Sequence, residues 1–136
     1  MRIINEIKTS GMKRIISTTA APGAIGPYSQ AVEINGTLYI SGQVPIDPAT
    51  GKIVEGGITE QTTQALKNIK AILTAAGYSL NDVVKSTCLL SDMSDFKAMN
   101  EVYAQFYTSD QPARAAFAVK GLPLGALIEI ETVAAK

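Results

Sequence analysis

Arg114 stands in the run PARAAFAV, among Pro, Ala, Phe and Val. A guanidinium with such neighbours must be paired or held for an anion, because an unpaired buried charge is costly. Its planar fork of donors matches a carboxylate bidentately. The second group of interest is Glu129 in LIEIETV, where Leu127, Glu129 and Glu131 alternate with Ile128, Ile130 and Thr132. If residues 121–124 form a tight loop between two paired strands, Ala116 faces Glu129. Arg114 is then its diagonal neighbour, about 7–8 Å away. Two readings stay open at that spacing. A small ligand fits between cation and carboxylate, or Glu129 simply neutralises Arg114 or lies on a solvated face.

Other side chains carry weaker signals. Tyr28 and Ser29 follow Gly26 and Pro27 in an ordered loop and offer hydroxyls. Asn100 interrupts an apolar helical stripe, either as a site group or as exposed polar filler. Cys88, between Thr87 and Leu89 in an apolar strand, reads as a buried structural thiol, since a reactive one needs an electropositive, accessible setting. Lys67 and Lys70 form a small basic face of the kind usually solvated.

Composition removes much of the remaining chemistry. The 136 residues include 12 Lys and Arg against 12 Asp and Glu, one Cys and no His. Without His there is no imidazole base, no Ser-His-Asp or Cys-His pair and no HExxH zinc site. One Cys excludes an internal disulfide framework. A net charge of zero gives no electrostatic footprint for nucleic acid. Phosphate-binding loops and EF-hand loops are missing too. No apolar run approaches the roughly 18–20 residues of a membrane span, and residues 1–8 lack the apolar core of a secretory signal. A cytoplasmic protein is the expectation.

The elements that must position these residues follow from periodicity. Residues 1–11 have no clear period and read as a loosely ordered extension; residues 12–136 read as a single domain. Residues 13–18 form a short first strand. Residues 20–29, with two Pro and two Gly, are loop. Asn35-Gly36 between alternating apolar runs predicts a type I′ hairpin over residues 30–44. Residues 45–51 read as a turn-rich connector. The spacing of Leu66, Ile69, Leu73 and Ala76 predicts a helix over residues 57–77, capped by Thr59, with Glu60 near its positive end and Gly77 just past its last turn. Residues 83–90 form a buried strand. Ser94 caps a second helix whose Phe96, Met99, Tyr103 and Phe106 share a face, and Pro112 ends it. Residues 113–120 and 127–133 are two strands, read as a hairpin. The order β-β-β-α-β-α-β-β predicts an α+β two-layer sandwich with both helices on one face of a mixed sheet. Its other face, assigned Ala116, Ala118, Ile40 and Val44, needs covering, and other subunits are the simplest cover.

AIGPYSQAV, LYISGQVP, DFKAMNEVYAQF, PARAAFAV and the terminal IEIETVA, in this order, resemble the Rid (YjgF) family of enamine/imine deaminases. The similarity runs from about Met12 to the C-terminus. It implies a chorismate-mutase-like fold and a homotrimer with a central barrel and ligand clefts between subunits. It also implies cofactor-free hydrolysis of 2-imino acids such as 2-iminobutanoate and 2-iminopropanoate to 2-oxo acids and ammonia. By motif, Arg114 would hold the substrate carboxylate and Glu129 would position the attacking water. Tyr28 of GPYSQ, Ser41 and Gly42 of ISGQ and Asn100 of AMNEVY match the remaining pocket positions. Two features depart from the pattern. Ala116 stands where many members have Cys, so no thiol acts there, and residues 108–111 form a shorter stretch than in many relatives.

That chemistry suits a protein without His, because an imino acid is already electrophilic and needs chiefly positioning and proton transfer. Two alternatives come with the family. One is an endoribonuclease-type translation inhibitor, against which neutral charge and absent His both argue. The other is a regulatory trimer that binds 2-oxo acids without turnover, for which Glu129 would be dispensable.

Overall fold

Asn35 and Gly36 adopt φ of 49° and 80°, the two left-handed positions a type I′ turn demands. They close strand β2 (Ala31–Ile34) onto β3 (Thr37–Gln43), with Ile34 opposite Thr37 and Ala31 opposite Ile40. The computed structural model describes residues 11–136. Gly11 donates its backbone N–H to Asn35 Oδ1 at 2.9 Å; the rest of the expected extension lies outside the described residues.

Strand β1 (Arg14–Ile16) pairs with β2, and the connector after β3 contains a small ladder of β4 (Ile46–Asp47) with β5 (Lys52–Ile53). That ladder is a correction to the expected order, since two-residue strands leave no periodicity to read. Helix α1 (Ile58–Ala76) follows. Its N-terminus is held by Glu60, which accepts the Gly57 N–H at 2.8 Å; Thr59 lies inside the first turn and does not cap. Gly77, at φ 86°, donates to the Thr74 carbonyl while Tyr78 donates to Leu73, the paired bonds of a Schellman end.

Strand β6 (Val83–Leu90) leads through a 3-10 turn (Met93–Asp95) into helix α2 (Phe96–Phe106). Here Asp92 accepts the Ser94 N–H at 2.8 Å and caps the 3-10 turn, while α2 starts after Asp95 without a side-chain cap, so Ser94 does not cap it. After α2 comes β7 (Ala113–Ala118), and after a 3-10 turn (Pro123–Gly125) comes β8 (Ile128–Ala135).

The sheet order is β1-β2-β3-β8-β6-β7. β7 and β8 therefore form no hairpin. β7 lies parallel to β6 on the outer edge, with Arg114 opposite Ser86 and Ala116 opposite Cys88. β8 enters the slot between β3 and β6 and is antiparallel to both, with Glu129 opposite Leu89. The reason is backbone satisfaction. The crossover through α1 leaves β3 and β6 parallel and one strand apart, and only a strand inserted there pairs both facing edges.

Both helices cover one face. Leu66, Ile69, Ile72 and Leu73 of α1 are fully buried in one cluster with Leu38, Ile40, Leu90, Ile128 and Ile130. Each such side chain contributes about 1.5–3 kcal/mol. Ile40 and Ala116 thus belong to the helix side, not to the uncovered face. The face without helices carries Ile15, Tyr39 and Phe117 instead, each about half exposed.

Cys88 is fully buried, and burial pushes its thiol up to about 11. Cys88→Ser places a hydroxyl in that core and is expected to cost ~1–3 kcal/mol in urea unfolding. An unchanged urea midpoint would contradict the structural assignment of this thiol.

Candidate active site

The positions singled out in the sequence gather in two groups, on opposite sides of the sheet. One surrounds Arg114, on the helix side of edge strand β7. Phe96, Asn100 and Tyr103 stand at i, i+4 and i+7 on α2 and so share the face turned to that strand. Arg114 Nη1 donates to Asn100 Oδ1 at 2.7 Å. Its Cζ lies 4.9 Å from the Tyr103 ring centroid and 5.5 Å from that of Phe96. Among the described residues the only ion pair joins Arg14 to Glu33, so no carboxylate neutralises Arg114. Asn100, half-buried, is a partner of the cation and not polar filler.

The other group lines a cavity of about 390 Å³ that takes in Tyr28, Ser41, Gly42 and Glu129, with Ile25, Val44, Ile46, Pro123 and Leu124 as apolar walls. The loop bearing Tyr28 is ordered by Gln30, whose buried amide accepts the Thr18 N–H at 2.7 Å and donates toward the Thr18 and Pro22 carbonyls at 3.0 and 2.8 Å. Ser41 fastens the same loop from β3, donating its hydroxyl to the Ser29 carbonyl at 2.6 Å and its N–H to Gln30 O at 3.0 Å. Tyr28 itself is half exposed.

Gly42 lies where the β3–β8 register shifts, between Ile40 and Gln43. The Glu129 side chain rests directly on it: an added Cβ would fall 2.9 Å from Glu129 Cδ and closer still to Oε2. Burial raises the Glu129 pKa above the ordinary carboxylate value, and the like charge of Glu131, two residues on along the same face, raises it further. Such a carboxyl is a better proton acceptor than a solvated one. Gly42→Ala is expected to fold, because the flexible end of Glu129 can move aside. For a catalytic Glu129, displacing the carboxyl by about 1 Å would lower kcat ~10²-fold. Steady-state kinetics beside a thermal melt separates the two effects, and an unchanged kcat would remove Gly42 from the site.

Arg114 and Glu129 are not diagonal neighbours. Strand β6 separates them, and their side chains leave opposite faces: Arg114 shares the side of Ser86, Glu129 that of Leu89. Ideal sheet spacings put their Cα atoms roughly 14 Å apart. Within a single chain the cation and the cavity with its carboxylate are thus separate.

A larger cavity of about 540 Å³ lies along β1 and the Tyr28 loop, but neither a cation nor a carboxylate lines it to hold a charged ligand. Among the described residues no cluster of three or more His, Cys, Asp or Glu side chains could hold a metal ion. No helix is long and apolar enough to cross a membrane.

Several positioning residues escape a reading of the sequence. Besides Gln30, Asn68 of α1 donates to Ile46 O at 2.9 Å and Gln61 accepts the Leu127 N–H at 2.8 Å, fixing the segments on either side of the cavity. Their signal was available: Gln61 and Asn68 stand seven apart on the apolar face of α1, where a long polar side chain needs a partner.

The family model for Endoribonuclease L-PSP matches residues 18–136. Human 2-iminobutanoate/2-iminopropanoate deaminase is 55% identical over 126 residues, covering 93% of this chain and 92% of its own. The crystal structure of RidA from the Antarctic bacterium Psychrobacter sp. superposes with a TM-score of 0.88 at 48% identity, covering 90% of this chain and 99% of its own. That of E. coli TdcF with bound serine gives 0.87 at 41% identity, covering 90% and 98%.

Proposed function

The chain belongs to the endoribonuclease L-PSP family, also called YjgF or Rid, and from that premise we propose that it hydrolyses 2-imino acids to 2-oxo acids and ammonia in the cytoplasm. One observation carries the reading. An arginine without a carboxylate partner among the described residues and a carboxyl of raised pKa in a partly apolar cavity are the two groups that this hydrolysis uses. The relative named for 2-iminobutanoate and 2-iminopropanoate supplies the substrate class.

The chemistry follows from those groups. Arg114 binds the carboxylate through two parallel charge-assisted hydrogen bonds, with Asn100 keeping its guanidinium in place. The short alkyl chain lies against the walls formed by Ile25, Val44 and Leu124. Glu129 takes a proton from water as the new C–O bond forms at C2. That proton passes to nitrogen as the C=N π electrons do, giving a carbinolamine. Glu129 then carries the hydroxyl proton to the amino group as the C=O bond forms and the C–N bond breaks, so that ammonia and the 2-oxo acid leave. Tyr28 and the Ser41–Gly42 segment shape the cavity around the reacting carbon. Because Arg114 and Glu129 lie on opposite sides of one chain's sheet, the Arg114 half-site of one subunit meets the Glu129 cavity of another. The half-exposed Ile15, Tyr39 and Phe117 become subunit contacts in a homotrimer.

Ammonia release from 2-iminopropanoate and 2-iminobutanoate, generated in place by an amino acid oxidase or a dehydratase, is expected to exceed the buffer rate in proportion to protein. A rate equal to buffer would reject the activity. Sedimentation at micromolar concentration is expected to give three chains per particle. A stable monomer would remove the shared cleft.

A further inference from the structure

The contact between Arg114 and α2 has a second component besides the Asn100 hydrogen bond. Resting on the reading of Arg114 as carboxylate anchor, we infer that Tyr103 is a positioning residue. Its ring is a fixed platform that sets the plane of the guanidinium, and with it the affinity for carboxylate ligands.

One hydrogen bond, Nη1 to Asn100 Oδ1, leaves the guanidinium free to rotate about that bond and to swing on its long stem. A ring face at 4.9 Å removes this freedom, because the cation is drawn to the ring's negative face and the flat group packs against it. Phe96, at 5.5 Å, adds a second aromatic contact. Among the described residues, Arg114 makes no protein hydrogen bond through Nε or Nη2, so both of these donor nitrogens remain for a ligand.

Tyr103 is built as a platform. It is 6% exposed, and its ring lies 4.6 Å from that of Tyr107 in a tilted stack. The hydroxyls of Tyr103, Tyr107 and Ser86 are buried together, with Ser86 near enough to both tyrosines to bear on their ionisation but outside strict hydrogen-bond geometry. The Tyr103 ring is held by packing against Tyr107, and its hydroxyl adds a loose contact with Ser86. A residue serving only the core would be as well served by an aliphatic side chain. What the aromatic face adds is its hold on the cation.

Calorimetry with 2-oxobutanoate and its uncharged amide tests this. Tyr103→Phe, the conservative variant, is expected to bind the acid within twofold of the parent. Tyr103→Leu should bind the acid roughly 3–30-fold more weakly, the range a cation–ring contact spans, while its affinity for the amide stays the same. Unchanged binding of the acid by Tyr103→Leu would overturn the inference. So would an equal loss for acid and amide, which signifies general damage to the cleft, or an equal loss in Tyr103→Phe, which assigns the effect to the hydroxyl. If Tyr103→Leu does not fold, Phe96→Leu replaces it and is expected to weaken the acid selectively by a smaller factor; unchanged binding there also overturns it. Arg114→Ala separates the two levels. Full acid binding by that variant rejects the anchor itself, whereas its loss beside a parent-like Tyr103→Leu rejects only the platform.

Discussion

Arg114→Ala is expected to abolish detectable binding of 2-oxobutanoate by calorimetry and to lower kcat/KM for 2-iminobutanoate by ~10²–10⁴-fold. The estimate comes from two charge-assisted hydrogen bonds of about 1.5–3 kcal/mol each. Because the carboxylate is present in substrate, transition state and product alike, most of the loss falls on KM and on product affinity. Arg114→Lys keeps the charge and loses the fork, so its values should fall between parent and Ala. Folding is expected to survive, since among the described residues Arg114 pairs with no carboxylate and its removal strands only the half-buried amide oxygen of Asn100. Full deaminase activity in folded Arg114→Ala would make the proposed function wrong.

The parts of this site differ in how far residue order alone reveals them. The Asn35-Gly36 turn is local chemistry, and so is the left-handed Gly77 at the end of α1. The alternation of β8 likewise assigns Glu129 to the face opposite Ile128 and Ile130 without any tertiary knowledge. Pairing is different. Whether β8 folds back on β7 or enters the β3–β6 slot depends on which distant backbone edges stand unsatisfied, and no residue in the 121–126 connection records that. An error of one pairing partner moved Glu129 from a diagonal contact with Arg114 to the other side of the sheet. The consequence for function is large, because two groups read as bracketing a ligand or as an ion pair stand apart within one chain, and the proposed cleft draws them from two. Asn100 illustrates a further limit. Its place in the stripe was visible, but its role exists only because β7 lies parallel to β6 and brings Arg114 beside α2.

Glu129→Gln is the sharpest test of catalysis as opposed to binding. The amide has the shape of the carboxyl, still rests over Gly42 and can still accept a hydrogen bond from water, but it takes no proton. Loss of a general base typically costs ~10²–10⁴-fold, so kcat should fall by that factor while 2-oxobutanoate binds within about threefold of the parent. A carboxyl raised by burial and by Glu131 must lose its proton before it can act. The parent's kcat is therefore expected to rise with pH through a value above the ordinary glutamate range, and that limb should vanish in Glu129→Gln. Glu131→Gln removes the neighbouring like charge and should move the limb to lower pH without abolishing it. Stability runs in the opposite sense. A raised carboxyl favours the fold below its unfolded pKa, and that contribution is lost as pH rises through the folded value, so Glu129→Gln is expected to be at least as stable as the parent at pH 7. Unchanged kcat with intact binding would leave Arg114 as the anchor of a 2-oxo-acid sensor without turnover. Unfolding, with normal activity in whatever remained folded, would make Glu129 a structural group and return the search for the base to the other residues of the cavity.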